Sequence, residues 1–180
     1  VVTGLIAVPT KVLAAAELPA AIVSIPTPLP VSGEAAVPTA APTCLLSPAY
    51  PAQILQWCDL IWTHATAEGL DPNLVAALIW LESGGDANAL SRSGAIGLMQ
   101  VMPRDGRAAD FQCKNGPCFA NRPSMAELYD PAFNIQYGTH FLAGLLAKRG
   151  SLREALYAYG PMDVGYSYAD RVLAIYEQYR

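Results

Sequence analysis

Glu82 stands out as a candidate for acid–base chemistry because of the residues on either side of it. An apolar run, LVAALIWL, occupies residues 74–81 and leads directly into this carboxyl group. Gly84 and Gly85 follow, and because glycine is a poor helix residue, a helix that carries the run should end beside Glu82. A carboxyl group at the end of an apolar helix is poorly solvated, which raises its pKa toward the range of a general acid. The alternative is a helix-end glutamate that simply reaches water.

A series of short polar and glycine-containing motifs follows the apolar run. It reads ES at residues 82–83, SRSGA at 91–95, GLMQ at 97–100 and MP at 102–103. Glycine lets the backbone approach a ligand closely, and the amide of Gln100 can donate and accept hydrogen bonds at once, which suits an N-acetyl group or sugar hydroxyls. Plain core packing is the preferred explanation for Leu98 and Met99.

This series resembles the soluble-type lytic transglycosylases, which share a lysozyme-like fold. The Glu-Ser pair, the Ser-x-x-Gly-Ala segment, the Gly-Leu-Met-Gln run and the Met-Pro pair stand in the family's order and spacing, and the resemblance covers residues 50–180. It implies cleavage of the β-1,4 bond between N-acetylmuramic acid and N-acetylglucosamine in peptidoglycan. Glu82 would act first as acid and then as base, the product would carry a 1,6-anhydro end, and no metal or other cofactor is implied.

The resemblance also implies substrate contacts at particular positions. These are Ser91, Gln100, Met102 and Tyr159, together with Tyr168, which resembles a family position that faces the cleft. A methionine before proline also packs well in a core, so Met102 has a structural alternative. The family usually has Ala-Tyr-Asn-x-Gly where this chain has Gly160 after Tyr159. The hydrogen bond of the Asn side chain is then missing, while Gly160 keeps the freedom to adopt a left-handed conformation.

Two other functions remain open on the same sequence. One is a hydrolytic goose-type lysozyme or chitinase, and the other is a non-catalytic wall-binding domain. Hydrolysis by two carboxylates needs a second acid about 5 Å from the first for retention, or roughly 6.5–9.5 Å away for inversion. Asp86 lies beyond two glycines, and Asp105 and Asp110 fall in an irregular segment, so the sequence places none of them well. The intact Glu82-Ser83 pair argues against a domain that only binds.

The four cysteines are expected to form two disulfides. Cys113 and Cys118 flank a Gly116-Pro117 turn that lets their thiols meet, which leaves Cys44 and Cys58 as the second pair out of three connectivities. Half a zinc site is the rival reading for the first pair, but the chain has only 2 histidines. An even cysteine count fits an oxidising compartment, and four reduced thiols are the alternative.

Hydrophobic periodicity predicts a mainly helical domain with five or six helices around one core and no sizeable sheet. Helices are expected over residues 50–67, 72–83, 131–150, 152–159 and 165–179, with a short helix closing the loop at 94–102. Asp71-Pro72 and Asp130-Pro131 each supply an N-cap followed by proline at the first helical position. Residues 104–125 are expected to be irregular.

The amino-terminal quarter of the chain differs in composition from the rest. Eight of the 15 prolines fall within residues 1–48. Residues 1–16 resemble the end of a secretory signal peptide, with an apolar tail of a truncated gene model as the alternative. Residues 17–47 are interpreted as a Pro/Ala-rich disordered linker, and residues 48–180 as the catalytic domain. Pro9 and Lys11 interrupt the first apolar segment, so we expect no stable membrane insertion after signal removal.

Charge and composition narrow the range of partners. The formal net charge is -4 and the pI is near 5.0, and no basic cluster is present in the sequence. This balance argues against nucleic acid or an anionic membrane surface as the target. We expect a monomer that acts outside the cytoplasm, secreted or in the cell wall or periplasm, on peptidoglycan glycan strands.

Overall fold

The computed structural model describes residues 44–180, in which seven α-helices surround one hydrophobic core. The interpretations of residues 1–16 and of the linker up to residue 43 lie outside the described residues. The helices are α1 (Ala52–Leu55), α2 (Cys58–Ala67), α3 (Pro72–Ser83), α4 (Met125–Leu128), α5 (Pro131–Arg149), α6 (Leu152–Tyr159) and α7 (Ser167–Tyr179). Two 3-10 turns, Gly106–Asp110 and Met162–Val164, and two antiparallel two-residue strands, β1 (Gln112–Cys113) and β2 (Gly116–Pro117), complete this part of the chain. The predicted mainly helical fold is confirmed.

Helix α3 lies at the centre of the core. Its residues 74–79 are each at most 1% exposed, and α7 and α2 both pack against it. The helix begins as the sequence predicts, with the Asp71 carboxylate accepting a hydrogen bond from the Asn73 amide at 2.8 Å and Pro72 in the first turn. It ends at Gly84, whose φ of 63° is left-handed. A helix buried on most sides therefore delivers its last turn, with Glu82, to the edge of the core.

Helices α5, α6 and α7 form the other side of the core. The Asp130 carboxylate caps α5 by accepting from the Phe133 amide at 2.7 Å, and Gly150 ends the helix with a φ of 80°. Helix α5 packs against α2 and α6, and α6 packs against α7. The Ser151 hydroxyl caps α6, because it accepts from the Glu154 amide at 3.3 Å.

The single helix predicted over residues 50–67 is wrong, because the structure divides it into α1 and α2 at Gln56 and Trp57. Trp57 leaves the helical conformation, with φ -96° and ψ 8°. Its indole Nε1 donates a hydrogen bond to the Gly85 carbonyl at 2.9 Å, just beyond the end of α3. A tertiary contact therefore outweighs the local helical pattern at this position.

The short helix predicted to close the loop at residues 94–102 is also wrong. The segment instead makes isolated antiparallel bridges between Leu90 and Ile96 and between Ile96 and Val101. Gly97, with φ 75°, and Gln100, with φ 45°, are both left-handed, which a right-handed helix does not accommodate. Further along, the short helix α4 begins at Met125, the last residue of the segment that was expected to be irregular, and Ser124 and Glu127 form its capping box.

The described structure includes residues on the amino-terminal side of the predicted boundary at residue 48. A disulfide joins Cys44 to Cys58, and Leu46 is buried in the core. The Ser47 amide donates to the Asn73 side chain at 3.0 Å, and the Tyr50 hydroxyl donates to the Asn73 carbonyl at 2.8 Å. Across residues 44–180, no helix combines the length and the hydropathy that a membrane crossing requires.

Candidate active site

Glu82 lies in the last turn of α3 and lines a cleft of about 580 Å³. Burial raises the pKa of its carboxyl group to about 7. A hydrogen bond from the Tyr168 hydroxyl acts in the opposite direction, because it stabilises the ionised carboxylate. The apolar helix thus produces the environment that its sequence suggested, with a carboxyl group able to carry or release a proton near neutral pH.

Two tyrosines form hydrogen bonds in the surroundings of Glu82. Tyr168, on α7, is buried and donates its hydroxyl hydrogen to Oε1 of Glu82. Tyr159, at the end of α6, donates to the Met99 carbonyl at 2.8 Å and lines the cleft. Burial raises the pKa of both hydroxyls, so each stays a neutral hydrogen-bond donor. Elements far apart in sequence therefore meet at one carboxyl group.

Ser83 fixes the end of α3 to the loop that follows. Its hydroxyl donates to the Leu98 carbonyl at 2.9 Å and accepts from the Gly85 amide at 3.2 Å. The serine that follows the glutamate in the motif is thus not among the described lining residues of the cleft, and its hydroxyl joins two backbone segments by hydrogen bonds. Because it lies next to Glu82, this anchoring limits how far the carboxyl group can move.

The loop of residues 90–101 and the Met102 that follows it supply one wall of the cleft, where Ser91, Gln100 and Met102 are lining residues. The Ser91 hydroxyl oxygen accepts from the Ala95 amide at 2.9 Å, which leaves its hydrogen for a ligand. The amide nitrogen of Gln100 donates to the carbonyls of Gly97 at 3.0 Å and Ala89 at 3.3 Å. Both of its N–H donors are therefore occupied, and Gln100 offers its Oε1 as an acceptor.

Asn134, which with Ile135 and Gly138 also resembles a short motif of the lytic transglycosylase family, is the polar side chain that holds this loop on α5. It is only 1% exposed. Its Oδ1 accepts from the Met99 amide at 2.9 Å, and its Nδ2 donates to the carbonyls of Ile96 at 2.9 Å and Leu128 at 2.8 Å. A buried amide group needs hydrogen-bond partners, and the backbone of this loop and of Leu128 supplies them.

The far wall of the cleft comes from the segment that follows the motif series. Phe111 and Phe119 flank the β1–β2 hairpin and approach edge to face, with ring centroids 5.9 Å apart. A disulfide between Cys113 and Cys118 closes the hairpin. Arg122 and Phe141 continue this wall. No sequence motif indicated these aromatic residues, because their positions depend on how the hairpin folds back.

The aspartates considered as second carboxylates lie elsewhere. Asp86 accepts a hydrogen bond from the Asn88 amide at 2.8 Å, and Asp105 accepts from the Met125 amide at 2.7 Å. Neither these two nor Asp110 lines the cleft, and among its described lining residues Glu82 is the one carboxylic acid. Within residues 44–180, no three His, Cys, Asp or Glu side chains cluster as ligands for a metal ion.

The structure gives a different reason for glycine at position 160 from the one that the sequence suggested. Its φ of -76° and ψ of -178° describe extended backbone, so the left-handed expectation is wrong. A Cβ atom at this position would instead lie 2.6 Å from Cε1 of Tyr168. The glycine makes room for the ring of the tyrosine that donates to Glu82. The position of the Tyr168 ring therefore leaves no room for the Asn side chain that the family usually has here.

Comparisons with known proteins agree with this geometry. A family model described as the transglycosylase SLT domain matches residues 59–165. Membrane-bound lytic murein transglycosylase E of Buchnera aphidicola is 39% identical over 97 residues, which are 54% of this chain and 42% of that protein. An endo-type membrane-bound lytic murein transglycosylase A of Klebsiella pneumoniae is 39% identical over 90 residues, covering 49% of this chain and 42% of that protein.

A solved structure shows the same fold. The structure of an inactive variant of the lytic transglycosylase Slt from Pseudomonas aeruginosa matches with a TM-score of 0.52 and 25% sequence identity. The match covers 67% of this chain and 23% of that one. The chain spans less than half the length of the curated relatives that it matches.

Proposed function

Because the chain belongs to the transglycosylase SLT domain family, we propose that it is a lytic transglycosylase that cleaves the β-1,4 bond between N-acetylmuramic acid and N-acetylglucosamine in peptidoglycan. The observation that carries this proposal is Glu82, whose pKa burial raises to about 7, in a cleft whose other described lining residues include no carboxylic acid. The relatives are named as lytic murein transglycosylases, which supports the same reaction.

In the proposed reaction, Glu82 acts twice. Its protonated carboxyl group donates the proton to the glycosidic oxygen as the bond to the anomeric carbon breaks and positive charge develops on the ring. The resulting carboxylate then accepts the proton of the 6-hydroxyl of the same muramic acid, and that oxygen bonds to the anomeric carbon. The enzyme returns to its starting state, no water is consumed, and the product carries a 1,6-anhydro end.

The absence of a second acid in the described cleft lining favours this intramolecular route over hydrolysis. Two-carboxylate hydrolysis needs a second Asp or Glu within roughly 5–9.5 Å of the first, and the cleft lining offers none. A hydroxyl on the substrate is a nucleophile that is already positioned, so the step has a small entropic cost. The Tyr168 hydroxyl would stabilise the carboxylate that exists between the two proton transfers.

The other cleft residues would position the glycan. We assign substrate contacts to Ser91 as a hydroxyl donor and to Gln100 as an acceptor, the roles that their internal hydrogen bonds leave open. Met102, half-buried in the lining, and the ring of Tyr159 would supply apolar contact with a sugar face. In this proposal Tyr168 acts through Glu82.

The masses of the released products test the proposal. Purified protein is incubated with purified peptidoglycan, and the soluble products are identified by mass spectrometry before and after borohydride reduction. We expect fragments that are one water lighter than hydrolysed ones and that resist reduction. Mainly reducible ends would assign the protein to the hydrolytic lysozyme or chitinase class. Sedimentation with the walls and no soluble product would instead indicate a domain that only binds.

A further inference from the structure

Arg122 is the positively charged side chain of the cleft. Among the described lining residues it is the one Lys or Arg, and Glu82 is the one acid. Its guanidinium carbon lies 4.0 Å from the centroid of the Phe141 ring and 5.9 Å from that of Tyr137. A guanidinium group that lies over aromatic rings stays charged, and the rings hold its plane in a fixed orientation.

The guanidinium N–H groups of Arg122 are not used within the described part of the chain. Arg153 binds Asp170 through two hydrogen bonds of 2.7 and 2.9 Å, and Arg104 lies 3.6 Å from Glu127. Arg122, in contrast, has no carboxylate or carbonyl partner for its guanidinium among residues 44–180. Stacking uses the face of the group and leaves its N–H edge for an acceptor in the same plane, such as a carboxylate.

The disulfide-closed hairpin holds Arg122 at the cleft. The Cys118 amide donates to the Phe111 carbonyl at 2.9 Å, and the Arg122 amide donates to the Phe119 carbonyl at 2.9 Å. The Cys113–Cys118 disulfide therefore constrains the two phenylalanines and, through them, the backbone of the arginine. A charged side chain that is already held in position before the ligand arrives loses little conformational entropy on binding.

Arg122 and Glu82 are separated along the cleft by two aromatic rings. Phe141, under the guanidinium, lies 5.5 Å from Tyr159 between ring centroids. Tyr159 is near both charged groups: burial raises the pKa of its hydroxyl most, the charge of Glu82 raises it further, and the charge of Arg122 lowers it. The cation is therefore placed for an anionic group on the sugar at the cleaved bond or next to it.

We propose that the cleft wall formed by Arg122, Phe119 and Phe141 is a subsite for a carboxylate carried on the muramic acid substituent. This inference rests on the proposed function for its choice of substrate. The lactyl group of muramic acid ends in a free carboxylate where no peptide is attached, and in an amide-linked peptide with carboxylates of its own where one is. Polymers of N-acetylglucosamine carry neither, so the subsite would favour muramic acid-containing strands over chitin.

Binding to a protein with Glu82→Gln tests the subsite without consuming the ligand. Three soluble ligands of matched length are titrated by calorimetry: peptidoglycan fragments with peptide stems, the same fragments after amidase has removed the stems, and chito-oligosaccharide. Arg122→Gln should weaken binding of one or both muramic acid ligands by about 10- to 100-fold, as for loss of a charge-assisted hydrogen bond, and leave chito-oligosaccharide unchanged. Arg122→Lys keeps the positive charge but lacks the planar pair of N–H donors, so it should give an intermediate loss of binding affinity.

Arg149→Gln is the matched control, because it removes the same charge from an exposed position at the end of α5. A loss confined to stem-free fragments identifies the lactyl carboxylate as the ligand, and a loss confined to stem-bearing fragments identifies the peptide. Equal weakening of all three ligands, or no weakening of any, overturns the inference. The product analysis with unaltered protein reports separately on the proposed function, because this binding measurement does not depend on cleavage.

Discussion

Two opposite influences set the behaviour of the Glu82 carboxyl group. Burial at the end of α3 raises its pKa to about 7, while the hydroxyl of Tyr168 lowers the pKa by stabilising the ionised form. The proposed reaction uses this group as an acid in one step and as a base in the next, and a pKa near the working pH makes both proton transfers accessible. The pKa of Glu82, which burial raises and the Tyr168 hydrogen bond lowers, is therefore the property to test.

Glu82→Gln should remove the activity and keep the fold. Loss of a general acid typically costs ~10²- to 10⁴-fold in rate. The folded-state pKa of about 7 lies above the ordinary 4.5, so the carboxyl group destabilises the folded protein increasingly as pH rises from 4.5 through 7. Glutamine carries no charge at any pH, so above pH 7 the variant should be more stable than the parent by about 1–3 kcal/mol in denaturant unfolding. Glu177→Gln, at an exposed position, is the control; similar activity in both variants would contradict the assignment of Glu82.

Tyr168→Phe should shift the pH dependence of cleavage. The first step of the proposed reaction needs protonated Glu82, so kcat/KM of the parent should fall as pH rises through about 7. Removing the Tyr168 hydroxyl takes away a hydrogen bond that favours the ionised form, so the fall should move to higher pH. Tyr176→Phe removes a hydroxyl from the same helix that donates to Asp71, and should leave the profile unchanged. A pH profile that stays in place in Tyr168→Phe would show that this hydrogen bond does not tune Glu82.

Gly160→Ala should impair cleavage by displacing a ring. Its Cβ would come within 2.6 Å of Cε1 of Tyr168, so the tyrosine must move and its hydrogen bond to Glu82 must change. Gly144→Ala is the matched control, because nothing lies within 4 Å of a Cβ there and alanine is the better helix residue by roughly 0.5–1 kcal/mol. We expect a melting temperature lower than the parent's for the first variant and equal or higher for the second. If Gly160→Ala cleaves and melts like the parent, the space beside Tyr168 is not limiting.

The buried position of Glu82 at a helix end could be predicted from sequence because it depends on neighbours in the chain. An apolar run and two glycines are enough to suggest a buried carboxyl group at a helix end. Gly160 and Arg122 could not be understood in this way, because their roles depend on rings that come from other helices. The wider family resemblance over residues 50–180 supplied Tyr159 and Tyr168 as candidates, and their hydrogen-bond partners became visible only in the fold.

Helix starts and ends with strong local signals were predictable, and those that depend on tertiary contacts were not. The Asp-Pro pairs at the start of α3 and α5 and the glycines after them mark these helices correctly. The break between α1 and α2 follows from the bond of Trp57 to the Gly85 carbonyl, for which the sequence has no local signal. The loop at residues 90–101 follows from left-handed residues held by a side chain of α5.

Asn134→Ala should weaken the connection between α5 and that loop. The change leaves the Met99 amide and the Leu128 carbonyl without their buried partner, while the Ile96 carbonyl keeps its hydrogen bond from the Val101 amide at 3.1 Å. Each group left unsatisfied costs about 1–3 kcal/mol, so we expect a loss of at least about 2 kcal/mol in the free energy of unfolding and a loss of activity. Gln136→Ala, exposed on the same helix, should change little. A loss of less than about 1 kcal/mol in Asn134→Ala would indicate that water replaces the side chain in the loop.

Charge is distributed unevenly over the molecule and its cleft. The chain has a formal net charge of -4, while the cleft lining contains one cation, Arg122, and one acid, Glu82, among the described residues. Peptidoglycan that carries carboxylates would be repelled by the protein at long range, and this repulsion is screened within about 8 Å at physiological salt. If the glycan is the substrate, as we propose, its affinity comes from short-range contacts inside the cleft, where a positioned cation has its largest effect.

The last prediction concerns how much of the chain the fold requires. Proline-rich composition predicts that the residues before about Pro48 are dispensable, but the Cys44–Cys58 disulfide and the buried Leu46 show that this boundary lies too late in the chain. A chain that begins at Thr43 keeps both features, so it should melt like the longer one and cleave soluble glycan fragments at the same rate. A chain that begins at Ser47, with Cys58→Ser to avoid a free thiol, is the contrasting case. It lacks Leu46, which is buried, and the disulfide of Cys44 with Cys58, worth about 3 kcal/mol for a loop of this length. Its melting temperature should therefore be lower by roughly 10 °C or more. A large drop already in the chain from Thr43 would mean that the preceding residues contribute to stability, and similar melting of both short chains would mean that the Cys44 segment does not.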